Sequence, residues 1–220
     1  MKNKVPLFFA KMLFSSSVLI AQVQVSKEPL HKNVLENKYI RLLDVWLKPG
    51  DTSLFHIHST PSVFLHFSNT TIGTQVKGQD WVRDQSVAGK ARYSSFSPDI
   101  LVHRVSNLDT IPFHVTDIEI LSSHNTNSQL KPLPFTVLFE NEKVVAYRLT
   151  GSSFINQTIK NRGPLIAQLV SGNGVLYNDA ITKHSKEIIN GKHLYIEPGA
   201  SFYFSASKAG EIDMVLFEIK

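Results

Sequence analysis

From residue 39 to residue 121 the chain breaks into short runs rich in β-branched and aromatic residues, and no long segment carries a helical period. The runs are 39–47, 53–58, 63–67, 92–96, 101–105 and 113–121. Turn signals close them: Pro49-Gly50-Asp51, Ser68-Asn69, Gly78-Gln79-Asp80, Ser97-Pro98-Asp99 and Asn107-Leu108-Asp109. Many short strands at close spacing build a sandwich or barrel. A chain of 220 residues is long enough to bury a core as one large domain or two small ones.

The first twenty-one residues stand apart. Lys2 and Lys4 form a short basic head, and an apolar run carrying only Lys11 as a charge leads to Ala21-Gln22. The run is short and no stop-transfer pattern follows. It therefore reads as a secretory signal peptide cleaved after Ala21, and it places the mature protein in the periplasm or outside the cell. Cleavage removes three lysines, so the net charge falls from +5 to +2. The remainder has no basic cluster, which argues against a nucleic-acid partner, and no membrane association is expected once the signal is gone. The chain has no cysteine, so disulfides, thiolate metal sites and cysteine nucleophiles are excluded.

Two histidine-bearing segments carry the chemistry. In Gly50-Asp51-Thr52-Ser53-Leu54-Phe55-His56-Ile57-His58 the two histidines lie two residues apart on a strand, so they share a face. In the segment from Pro98 to Asn107, His103 follows Pro98 by five residues and precedes Asn107 by four. A histidine from this second, distant strand can close a metal site with the first pair. Pro98 and Asn107 themselves read as turn and strand-end residues. His66 reads as structural or exposed. His31, His114, His124, His184 and His193 have no ligand spacing and read as background.

These segments resemble the two motifs of the cupin superfamily, G-x5-H-x-H followed by a glutamate and G-x5-P-x-G-x2-H-x3-N. Gly50, His56, His58, Pro98, His103 and Asn107 match. Ser62 and Val63 occupy the two positions open to the glutamate, and Ile100 replaces the inner glycine of the second motif. The resemblance implies jelly-roll barrels and a metal held by His56, His58 and His103, with Fe(II) foremost and Zn, Mn or Ni as alternatives. Three neutral imidazoles without a carboxylate leave more net positive charge on a divalent ion, which favours bidentate anionic ligands.

The polar, proline-punctuated stretch 122–134 reads as a linker, after which the pattern restarts about one hundred residues on. Thr158, Lys160 and Tyr203 fall where His56, His58 and His103 stand in the first copy. The expectation is an all-β chain of two jelly-roll cupin barrels: signal peptide 1–21, metal-bearing barrel 22–121, linker 122–134 and degenerate barrel 135–220. Two functions compete. One is a dioxygenase of a small oxygen-rich substrate, with no catalytic residue assigned because no general base is visible. The other is a non-catalytic protein that binds a small ligand or serves structure. A homodimer is compatible with either.

Overall fold

The computed structural model describes residues 22–124 and 131–220. The segment expected to be a signal peptide, 1–21, and residues 125–130 of the expected linker lie outside the described residues. Ten strands build the first barrel: β1 (Val23–Gln24), β2 (His31–Glu36), β3 (Ile40–Leu47), β4 (His56–His58), β5 (Ser62–His66), β6 (Thr70–Val76), β7 (Trp81–Ser86), β8 (Ala91–Ser94), β9 (Leu101–Asn107) and β10 (Phe113–Ile120). They form two five-stranded sheets, in the orders β1-β4-β9-β6-β7 and β2-β3-β10-β5-β8. Apart from β1, which runs parallel to β4, the pairs are antiparallel.

Nine strands build the second barrel: β11 (Thr136–Glu140), β12 (Val144–Thr150), β13 (Ile159–Lys160), β14 (Leu165–Gly172), β15 (Val175–Asp179), β16 (Ser185–Ile188), β17 (His193–Ile196), β18 (Ser201–Ala206) and β19 (Ile212–Ile219). Their sheets run β11-β12-β19-β14-β17 and β13-β18-β15-β16. The only helical turn among the described residues is a 3-10 turn at Val25–Lys27. No described helix is long and apolar enough to cross a membrane.

Strand alternation explains how the barrels share a wall. On β10, Phe113 and Val115 face the interior of the first barrel, while Ile118 and Ile120 face the second. The same division runs through β3, where Leu43, Val45 and Leu47 point inward and Ile40 and Leu42 point across. The crossing residues pack against Val144, Ala146, Ile166, Val215 and Phe217 of the second barrel in one continuous apolar layer. Strands buried on both faces lose their polar alternation, which is why β10 is buried along its whole length. One polar pair lies in this layer: Thr116 Oγ1 and Gln168 Nε2 are 3.0 Å apart, and both residues are buried.

The second motif ends in a polar knot. Asn107 Nδ2 donates to the Leu47 and Ile111 carbonyls at 3.0 and 2.8 Å, and its Oδ1 accepts from the Asp109 N–H at 2.9 Å. Its backbone N–H donates to the Asp51 carbonyl at 3.0 Å, and its own carbonyl accepts from the Gly50 N–H at 3.1 Å. Asn107 thus ties the turn before β4 to the end of β9. Gly50 has φ +83°, a left-handed conformation that glycine adopts without cost.

Candidate metal centre

The two motif strands are neighbours. β4 pairs with β9 so that His56 lies opposite His103 and His58 opposite Leu101. All three histidines are buried and project to the same side. Their ring centroids are 4.6 to 5.0 Å apart, and one ring nitrogen of each lies within 4.8 Å of the others. His58 Nε2 and His103 Nε2 approach to 3.0 Å. Two adjacent ligands of one ion at about 2.1 Å, set at about a right angle, stand about 3 Å apart, so this spacing suits a shared metal.

Hydrogen bonding sets the tautomer of His56. His56 Nδ1 donates to the Leu54 carbonyl at 2.9 Å, which leaves the lone pair of Nε2 free. His56 Nε2, His58 Nδ1 and His103 Nδ1 are buried without a hydrogen-bond partner among the described residues. Unpartnered buried polar atoms are costly; of the three, His56 Nε2 is free for an ion, while the Nδ1 atoms of His58 and His103 lie on the ring side opposite the Nε2 atoms that meet. Burial, reinforced by the neighbouring histidines, pushes all three rings below the ordinary histidine value: His56 to about 4, His103 to about 3 and His58 to about 2. At neutral pH they are uncharged imidazoles, the form that binds metal.

The site opens into a cavity of about 470 Å³. Its wall carries Val45, Leu47, Phe64 and Phe113, with Arg92 from β8 among the polar groups. The Arg92 guanidinium lies 4.0 Å over the Phe64 ring, an arrangement that holds a cation beside an apolar wall. Phe96 stacks on His58 with centroids 4.9 Å apart.

Two groups that the motif spacing did not single out stand next to the site, one of them, His31, read as background. His31 lies 4.6 Å from His56, ring to ring, and lines the cavity. Its Nδ1 meets Glu28 Oε2 at 2.6 Å. Glu28 also accepts from the backbone N–H groups of Leu30 and Leu54. Burial raises the Glu28 carboxyl, but the hydrogen bonds from His31 and Leu54 outweigh it and hold the group below its ordinary range. The second group is Asp117 on β10. Burial, with Glu119 nearby, pushes its carboxyl up to about 8. The signal available in the sequence is the pair Asp117 and Glu119 alternating with Ile118 and Ile120 in β10. His66 is buried, and its Nδ1 donates to Ser86 Oγ at 2.9 Å.

The second barrel departs from the expected correspondence. Thr158 and Lys160 are exposed and Tyr203 is half-buried. The residues facing inward are Ile159, Phe202 and Phe204, one step out of phase. A one-residue shift on a strand turns a side chain to the opposite face, so a sequence echo at motif spacing does not guarantee the same face. Phe154, Phe202 and Phe204 fill this interior with edge-on aromatic contacts where the first barrel has its cavity.

No family model and no curated protein matches the chain. Solved structures do match its shape. The structure of AerE from Microcystis aeruginosa aligns with a TM-score of 0.58 at 11% identity, covering 88% of this chain and 98% of that one. A cupin 2 conserved barrel domain protein from Leptotrichia buccalis aligns at 0.56 and 10% identity, covering 92% and 93%. A salicylate 1,2-dioxygenase variant from Pseudoaminobacter salicylatoxidans, in complex with gentisate, aligns at 0.57 and 11% identity, covering 82% and 69%. The fold is that of the cupin superfamily, in its two-barrel form. Within that fold, the three buried histidines of the first barrel form a site able to bind a metal ion.

Proposed function

We propose that this chain is an exported cupin that binds one divalent metal ion through His56, His58 and His103 and acts on a small, oxygen-rich anion, with Fe(II) and dioxygen as the leading chemistry. The observation that carries the reading is the convergence of three buried, uncharged imidazoles at the edge of a cavity, with one ring nitrogen of each within 4.8 Å of the others. That the set of similar structures includes a salicylate dioxygenase and an oxalate decarboxylase agrees with it.

A bound ion would supply Lewis acidity and a template for its ligands. The protein's own residues do the rest. His56 is held in one tautomer by the Leu54 carbonyl. Arg92 offers a fixed cation to an anionic ligand, and the apolar wall around Phe64 and Phe113 limits water around it. A cavity of about 470 Å³ suits a small molecule.

Metal analysis of the purified protein tests the reading directly. Metal-saturated protein is expected to hold at most one tightly bound ion per chain. The double substitution His56→Ala with His58→Ala is expected to abolish it. Two equivalent ions, or one that survives the double substitution, would overturn the assignment. Loss of dioxygenase turnover in Arg92→Ala with metal content unchanged would place Arg92 at the ligand. Export is tested by N-terminal sequencing of secreted or periplasmic protein, where the reading expects a start at Gln22.

A further inference from the structure

The cupin resemblance places a carboxylate at position 62 or 63, and this chain has Ser62 and Val63 there. Ser62 lies on β5, buried, with its hydroxyl donating to the Thr60 carbonyl at 3.1 Å. The neighbouring strand carries two acids beside it. In the β5–β10 register, Ser62 faces Glu119 and Phe64 faces Asp117. The two acids have different surroundings. Glu119 accepts from Arg41 Nη1 at 2.8 Å and is neutralised. Asp117 has both carboxylate oxygens buried and without a hydrogen bond among the described residues. Its Oδ2 lies 3.4 Å from His58 Nδ1, which is itself buried and unpartnered.

We propose that Asp117 supplies the carboxylate of this metal centre from the neighbouring strand, as a positioning residue that accepts the Nδ1–H of His58. The inference rests on the three-histidine metal reading. Asp117 does not belong to the group of ligand atoms within 4.8 Å of one another. It faces the His58 nitrogen opposite the one that approaches His103 Nε2. A small rotation of the ring closes 3.4 Å to a hydrogen bond. That bond commits the Nδ1 proton, presents the Nε2 lone pair to the ion and raises its basicity. A bound cation would favour the ionised form of Asp117, so negative charge would be returned to the site one shell out, from β10 rather than from position 62. His56 has its own outer acceptor in the Leu54 carbonyl, so two of the three rings would be oriented from behind.

Cobalt(II) titration of the full chain, followed by visible absorption and proton NMR, tests this without relying on turnover. Asp117→Asn keeps the shape and removes the charge. It is expected to weaken cobalt binding about 10- to 100-fold and to move or lose one of the exchangeable, paramagnetically shifted ring N–H signals, that of His58, leaving those of His56 and His103 in place. An affinity within about twofold of the parent, or a loss of affinity with the His58 signal unmoved, would overturn the role of Asp117 and leave the three-histidine site standing. A parent protein that binds no cobalt would overturn both. A readout on the unsubstituted protein covers the case of a variant that does not fold. In its zinc form, the His58 Nδ1–H is expected furthest downfield of the three ligand rings, the mark of a carboxylate acceptor. Finding either other ring further downfield would sink the proposal.

Discussion

Single residues here divide into those that face the cavity and those that hold the cavity's frame. Asn107 is of the second kind. It is almost fully buried, and its side chain satisfies the carbonyl at the end of β3 and a carbonyl and an N–H of the loop after β9. Asn107→Ala strands the Leu47 and Ile111 carbonyls and the Asp109 N–H, so a loss on the order of 3 kcal/mol is expected. Urea unfolding of metal-free protein checks it. An unchanged midpoint would mean that water replaces the side chain at little cost. The histidines are of the first kind, and His31 shows how far residue-by-residue reading reaches. It has no motif spacing, yet β2 and the 3-10 turn bring it and Glu28 against His56. Contacts of that type depend on how two sheets close over each other, which no local pattern encodes.

At the scale of elements, the turn before β4 sets where His56 and His58 lie. Gly50 occupies a left-handed conformation in open space, and its N–H is tied to Asn107. Gly50→Ala therefore meets no steric obstacle beyond the backbone conformation itself. A cost of about 1–2 kcal/mol is expected from that alone. The accompanying prediction is a weaker metal site, because the turn feeds directly into the ligand strand. Thermal unfolding and cobalt affinity measured together check both, and an unaltered melting temperature would show that the turn relaxes freely. The strands that sequence patterning picked out, such as β3, β9 and β10, are those with apolar or β-branched runs. β6 and β7 escaped it. β7 is exposed along almost its whole length and reads Trp81-Val82-Arg83-Asp84-Gln85-Ser86, a polar edge strand held by pairing to β6 rather than by burial. Pairing partners, not residue preference, make that strand. The 53–58 run shortened to β4, with Thr52 bridging Ser106 alone, for the same reason.

For the whole molecule, burial of titratable groups in the first barrel predicts a distinct response to pH. Folded His56, His58, His66 and His103 are pushed down to between about 2 and about 4 from the ordinary 6.5. Their stabilisation is fully present above pH 6.5 and is lost as pH falls from there towards 4, because the unfolded chain takes up protons that the folded one refuses. Asp117 acts in the opposite sense. Raised to about 8 from 3.8, its contribution is complete below 3.8 and is lost as pH rises through 8. Four histidines outweigh one carboxylate up to about pH 7, where the two slopes balance. The metal-free protein should therefore be most stable near pH 7, fall steeply on acidification and fall gently towards pH 8. Melting temperatures recorded across that range in chelator check it; a flat profile between pH 4.5 and 6.5 would show that these rings are not held neutral. Added metal stabilises by mass action and should do so most where the histidines are already uncharged.

The sequence by itself determined the class of fold and picked out the three histidines that converge in the first barrel. Period-two runs between turn residues leave few alternatives to a β barrel, and two histidines on one strand face with a third at motif distance were enough to name His56, His58 and His103. These are local signals, carried by spacing along one or two strands. Tertiary structure alone decided which face the second copy turns inward, because a one-residue slip between Lys160 and Ile159 leaves the motif spacing almost unchanged while exchanging inside for outside. It also decided that Asp117, fifty-nine residues beyond His58 in sequence, lies 3.4 Å from its ring. Cross-strand neighbours are set by sheet order and register, which place β10 beside β5 within the first barrel.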